Sequence, residues 1–85
     1  MPAITLYATA FCPYCIQAER LLKAKGVTDI TKIRVDVEPG LREAMTARTG
    51  RRTVPQIYVG DVHVGGYDDL VALDRAGKLD PLLAA

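Results

Sequence analysis

Cys12 and Cys15 are the only cysteines of the chain, separated by Pro13 and Tyr14 and followed by a helical pattern. Cysteines at this spacing can close a structural bridge, supply half of a zinc site, or work as a redox pair. A structural bridge would close only the short segment from Cys12 to Cys15, which restricts the unfolded chain little. Structural zinc takes four ligands. His63 is the only histidine and lies far along the chain, so a single-chain zinc site would have to recruit Asp or Glu; no metal site is expected. The redox reading asks for less. If Cys12 is the N-cap of the helix, its sulfur lies near the unpaired N–H groups of the first turn. Those donors and the helix field favour thiolate over thiol. Cys15, one turn on, is within disulfide reach. Cys12 is then the nucleophile and Cys15 the resolving thiol: the thiolate takes one half of a disulfide, and Cys15 or an external thiol attacks the mixed disulfide. The cycle needs no tightly bound cofactor.

The elements that position these thiols follow from patterning. Ile4 to Ala8 is short and mostly apolar and reads as a central strand. Pro13 suits the first helical position. Cys15, Ala18, Leu21, Leu22 and the Lys25 stem recur at intervals of three and four, and Gly26 ends the helix. Thr31 to Val37 alternates as a strand, with Thr31, Ile33, Val35 and Val37 on one face. Pro39 starts a second helix, with Leu41, Ala44 and Met45 inward and Gly50 as its stop. Pro55 precedes two apolar runs joined by Gly60-Asp61, a hairpin of type II′. Asp68 or Asp69 caps a third helix, with Leu70, Leu73 and Ala76 inward and Gly77 at its end. Asp80-Pro81 starts a further turn in the tail. The order is β-α-β-α-β-β-α, an α/β fold with a four-stranded mixed sheet flanked by helices.

Totals bound the function. Eighty-five residues suit one domain, 1–85. Apolar content of 49% with 25% charged residues suits a compact fold, and a formal charge of +1 gives no electrostatic case for nucleic acid. No stretch approaches the ~20 apolar residues of a membrane span, and nothing at the start reads as a signal peptide. The cytoplasm is the expected location, and structural disulfides are uncommon there. Pro55 opening an apolar strand is unusual. If its bond to Val54 is cis, the Val54 backbone can approach the thiols and pair with a peptide-like substrate; an ordinary turn proline is the alternative.

"CPYC" at Cys12 to Cys15, "TVP" at Thr53 to Pro55 and "GGYDDL" at Gly65 to Leu70 together resemble the glutaredoxins, in particular the small bacterial dithiol glutaredoxins of the glutaredoxin 3 type. The likeness covers nearly the whole chain and includes "LDPLL" at Leu79 to Leu83. It implies a thioredoxin-like fold, a cis Pro55, and glutathione as the reducing co-substrate. In that pattern Tyr14 flanks the tripeptide, Val54 offers its backbone to the cysteinyl part, and Thr53 lies beside the groove. Gly66, Tyr67 and Asp68 line the γ-glutamyl end: Asp68 meets the ammonium, and backbone N–H groups at the helix start meet the carboxylate. Gly66 is expected there for close approach or a positive φ.

The resemblance further implies a protein acting as a monomer on disulfide-containing or glutathionylated proteins, with ribonucleotide reductase as a protein substrate. One position departs from it. The family commonly has a lysine three residues before the first cysteine, holding the glycine carboxylate, and this chain has Thr9. Arg51, which matches an often basic position of the family, and Arg52, which looks additional, stand just before the TVP loop and are candidates to replace it. Each candidate also has a plain structural role: Tyr14 as a shield of the disulfide, Asp68 as a helix cap, the arginines as a solvated loop, and His63 as a strand residue with a local partner. Phe11 could cover the site edge or simply pack. Two other functions stay open: a redoxin served by a thioredoxin-type reductase, and an iron–sulfur carrier in which two chains and glutathione supply the ligands, against which Pro13 stiffens the turn beside Cys12.

Overall fold

A computed structural model describes residues 2–85. Its elements run β1 (Ile4–Ala8), α1 (Pro13–Ala24), β2 (Ile30–Arg34), α2 (Leu41–Thr49), β3 (Gln56–Val59), β4 (Val62–Gly65), α3 (Tyr67–Arg75) and α4 (Leu79–Ala84). The four strands form one mixed sheet in the order β2-β1-β3-β4. β1 is central, parallel to β2 and antiparallel to β3. Being paired on both sides and covered on both faces, it can be almost wholly apolar.

The two-residue period of the strands sorts the core into two clusters. Ile4, Leu6 and Ala8 of β1, with Ile57 and Val59 of β3, meet Cys15, Ala18 and Leu22 of α1, Leu70 of α3, and Leu79 and Leu83 of α4. Tyr7 and Tyr58 point to the other face and meet Met45 of α2 and Val35. Helices therefore flank both faces, and each fully buried Leu or Ile contributes about 1.5–3 kcal/mol of apolar burial. Lys25 at the end of α1 joins Asp74 of α3 at 2.6 Å and Asp80 of α4 at 3.2 Å.

Several boundaries differ from the sequence reading. β2 stops at Arg34 rather than Val37. The Asp36 carboxylate accepts from the Ala10 N–H at 3.1 Å and from the Arg34 Nε at 2.7 Å, which bends the chain back toward the loop before α1. Val37 is consequently exposed, as is Thr31, whereas Ile33 and Val35 do turn inward. α2 starts at Leu41, because Gly40 at φ +93 separates Pro39 from the helix. Ala44 and Ala76, expected inside, are exposed, while Met45 is fully buried. α3 has Gly66 as its N-cap, not an aspartate. The tail helix α4 starts at Leu79, before Asp80-Pro81. The β3–β4 hairpin has the φ signs of type II′, positive at Gly60 and not at Asp61.

Candidate active site

Cys12 is the N-cap of α1, in extended conformation, and its sulfur accepts the Cys15 N–H at 3.1 Å. Pro13 at the first helical position has no N–H to offer, so Cys15 supplies the nearest first-turn donor. Cys12 and Cys15 are joined as a disulfide with Cα atoms 5.2 Å apart. Both are nearly buried. In the reduced state the same N–H and the helix field would hold a Cys12 thiolate. Phe11 neither covers the pair nor packs: it is 97% exposed.

The Val54–Pro55 peptide bond is cis. The Val54 carbonyl oxygen lies 4.0 Å from the Cys12 sulfur. As a disulfide, that sulfur carries no proton, so this is a contact and not a hydrogen bond. It nevertheless sets the TVP loop directly against the redox pair. One groove is lined by Tyr14, Arg51, Thr53, Val54, Pro55, Gly66, Tyr67, Asp68 and Asp69. Eight of these nine, all but Asp69, are residues named from sequence for the site, and they come from the start of α1, the TVP loop and the start of α3. The Tyr14 and Tyr67 rings face each other at 6.0 Å between centroids, tilted by 30°. Arg52 and Thr9 are not part of the lining; the Arg52 carbonyl accepts from Arg42 at 2.7 Å.

Two assignments at the α3 end need correction. Gly66 has φ −86, ordinary extended backbone, and a Cβ there would make only ordinary contacts, with the Pro55 oxygen at 3.5 Å and Asp69 Oδ2 at 3.9 Å. The positive φ belongs to Gly65, at +111. The turn requires its exceptional residue one step earlier, where β4 leaves the sheet. Asp69, named from sequence only as an alternative helix cap, does more within the chain than Asp68. Its Oδ2 accepts both the Gly66 N–H and Arg51 Nη1, each at 2.9 Å. Asp68 is exposed at the second position of α3. Both acids sit at the start of one helix; Asp69 is distinguished by reaching back to the Gly66 N–H from the third helical position and by its tertiary partner Arg51.

The Asp69 pKa lies below its ordinary 3.8, first through the Arg51 guanidinium and then through the Gly66 N–H. A carboxyl depressed in the folded state contributes stability above its unfolded pKa and loses it as pH falls through the folded value. Asp69→Asn should therefore melt below wild type at neutral pH, by a margin that closes in acid below about pH 4, as thermal melts across that range would show. The margin is small, because the Arg51 and Asp69 side chains are 49% and 44% exposed. His63 titrates lower than usual, because of its burial and then Arg51.

Among the described residues no group of three or more His, Cys, Asp or Glu is placed to hold a metal, and no helix is long and apolar enough to cross a membrane. The arrangement can perform thiol–disulfide exchange beside a cleft with peptide-like complementarity: main chain at Val54, aromatic faces at its sides, and charges of both signs.

Comparison with known proteins agrees with this chemistry. Residues 4–64 match the family model described as Glutaredoxin. A glutaredoxin of Pseudomonas aeruginosa is 55% identical over 85 residues, covering all of both chains. Glutaredoxin 3 of Escherichia coli is 47% identical over 83 residues, 98% of this chain and 99% of that one. Among solved structures, a buckwheat glutaredoxin–glutathione complex superposes with a TM-score of 0.88 at 30% identity, covering 98% of this chain and 77% of the other. The fold is thioredoxin-like, as in those structures.

Proposed function

The chain belongs to the glutaredoxin family of thiol–disulfide oxidoreductases, and from that premise we propose that it draws its electrons from glutathione. The observation that carries the proposal is the groove beside Cys12. Glutathione is a tripeptide with a carboxylate at each end and one ammonium. The groove supplies a cation in Arg51, an acid in Asp68, main-chain groups at Val54, and first-turn N–H groups of α3 suited to a carboxylate.

In the one-thiol branch, the Cys12 thiolate attacks the glutathione sulfur of a mixed disulfide and the protein thiolate leaves. A second glutathione thiolate then attacks the bound glutathione sulfur. Oxidised glutathione departs and the Cys12 thiolate returns. In the two-thiol branch, Cys12 attacks a protein disulfide and Cys15 attacks the Cys12 sulfur of the intermediate. The substrate leaves with both its thiols, and two glutathiones reduce the Cys12–Cys15 disulfide. The two electrons pass from glutathione to substrate without a bound cofactor, and glutathione reductase restores the pool. Residues 1–85 act as one unit and as a monomer, on disulfide-containing or glutathionylated proteins of the cytoplasm.

The test is steady-state reduction of a glutathione mixed disulfide, with glutathione and glutathione reductase as the only electron source. Turnover supports the proposal. Absence of turnover, alongside activity with a thioredoxin-type flavoprotein reductase, replaces it with the redoxin reading. Arg51 is the candidate for the glycine carboxylate that Thr9 leaves without a lysine. Since Arg51 is already partnered by Asp69, Arg51→Ala is expected to raise KM for a glutathionylated peptide only about two- to fivefold. Arg52→Ala should leave KM unchanged. An unchanged KM in both removes Arg51 from the account.

A further inference from the structure

Among the described residues Gln56 is the one polar residue in the buried core, fully enclosed directly after Pro55. Its side-chain Nε2 donates to the Thr53 carbonyl at 3.1 Å and, more weakly, toward Thr53 Oγ1 at 3.3 Å. Its Oε1 lies 2.8 Å from His63 Nε2. The Thr53 carbonyl can only accept, so the amide nitrogen must face it and the amide oxygen must face His63. His63 Nε2 therefore carries a hydrogen and donates. The His63 ring is itself held, stacked on Tyr58 at 4.9 Å, and the Arg48 guanidinium also packs on Tyr58, 3.7 Å from its ring centroid.

A fully buried amide is costly unless its bonds are made, so this one is fixed in a single orientation. Its consequence lies one atom away. Thr53 and Val54 are joined by a trans peptide, the cis bond being the next one. In a trans unit the C=O and N–H point in opposite directions. Holding the Thr53 carbonyl inward thus turns the Val54 N–H away from the core. Among the described residues that N–H has no acceptor within the chain, and Val54 lines the groove. We propose that Gln56, held by His63, is a positioning residue that aims the Val54 N–H at the main chain of the bound substrate. The proposal rests on the glutathione reading above and adds to it the group that orients the peptide-pairing donor.

The test compares wild type, Gln56→Leu and His63→Leu in three measurements: KM and kcat for a glutathionylated peptide, alkylation of reduced Cys12 by iodoacetamide, and the Val54 amide resonance. Gln56→Leu is expected to raise KM about five- to tenfold, the worth of one main-chain hydrogen bond. It should leave kcat within about twofold, leave the alkylation rate unchanged, and shift the Val54 amide. His63→Leu, which lies outside the loop and frees the amide oxygen, should show the same pattern at about two- to threefold. It decides the matter if Gln56→Leu does not fold. An unchanged KM in the folded variants, or a KM change matched by slower alkylation, overturns the proposal, the latter because it signals general damage at the cysteines. Absence of glutathione-driven turnover in wild type overturns the underlying reading, and this proposal with it.

Discussion

Cys12→Ser is expected to lower glutathione-driven reduction of a mixed disulfide by at least about a thousandfold, because a serine hydroxyl cannot replace the thiolate as nucleophile. Cys15→Ser should keep that activity within a few-fold and lose the reduction of protein disulfides. The asymmetry follows from position. The Cys12 sulfur sits at the N-cap, accepting the Cys15 N–H, and touches the TVP loop at the Val54 carbonyl. Cys15 lies inside the first turn of α1, as the donor of that bond. Only one of the two therefore has both the helix start and the groove at hand. Steady-state kinetics of the two variants with a glutathionylated peptide and with a disulfide protein would check this. Equal losses for both variants with the mixed disulfide would remove the one-thiol branch.

The second large effect is expected at Gly65. A Cβ there would collide with the Asp69 carboxylate and lie 3.2 Å from Arg51 Nη1, while φ stands at +111. A side chain in such backbone costs about 1–3 kcal/mol. Displacing Asp69 forfeits the bond that satisfies the Gly66 N–H, a cap worth about 1 kcal/mol. Gly65→Ala should thus lose about 2–4 kcal/mol of stability in denaturant titration. It should also bind glutathione more weakly, since Asp69 and Arg51 line the groove. Gly66→Ala, with ordinary backbone and only ordinary van der Waals contacts for a Cβ, should cost less than about 1 kcal/mol. Equal effects at the two glycines would contradict this account of the turn.

What the sequence made legible was local. Pro13 and the apolar interval of Cys15, Ala18 and Leu22 define α1 without outside help. Gly60-Asp61 does the same for the hairpin. The CPYC, TVP and GGYDDL segments named residues that the fold gathers along one groove, although they lie far apart in the chain. What stayed hidden depends on partners distant in sequence. The end of β2 is set by Asp36 reaching Ala10, 26 residues earlier. Asp69 outweighs its neighbour Asp68 in the chain's own bonding through the Gly66 N–H and through Arg51, which arrives from another loop. Two adjacent glycines look alike until the backbone angle separates Gly65 from Gly66. Gln56 reads as one polar residue at the start of an apolar strand, and its burial against Thr53 and His63 is visible only in three dimensions. Thr9 marked a departure from the family pattern, and of the two arginines near the loop the family resemblance pointed to Arg51, which lines the groove while Arg52 does not.

The central claim, that glutathione seats in the groove beside Cys12, is tested most directly by forming the glutathione adduct of Cys15→Ser and mapping amide shifts against the reduced variant. The account predicts one adduct, on Cys12, with shifts at Val54, Gly66, Tyr67 and Asp68 as well as near Cys12. An adduct whose shifts stay confined to the first turn of α1 would contradict it, because glutathione would then be held by its sulfur alone.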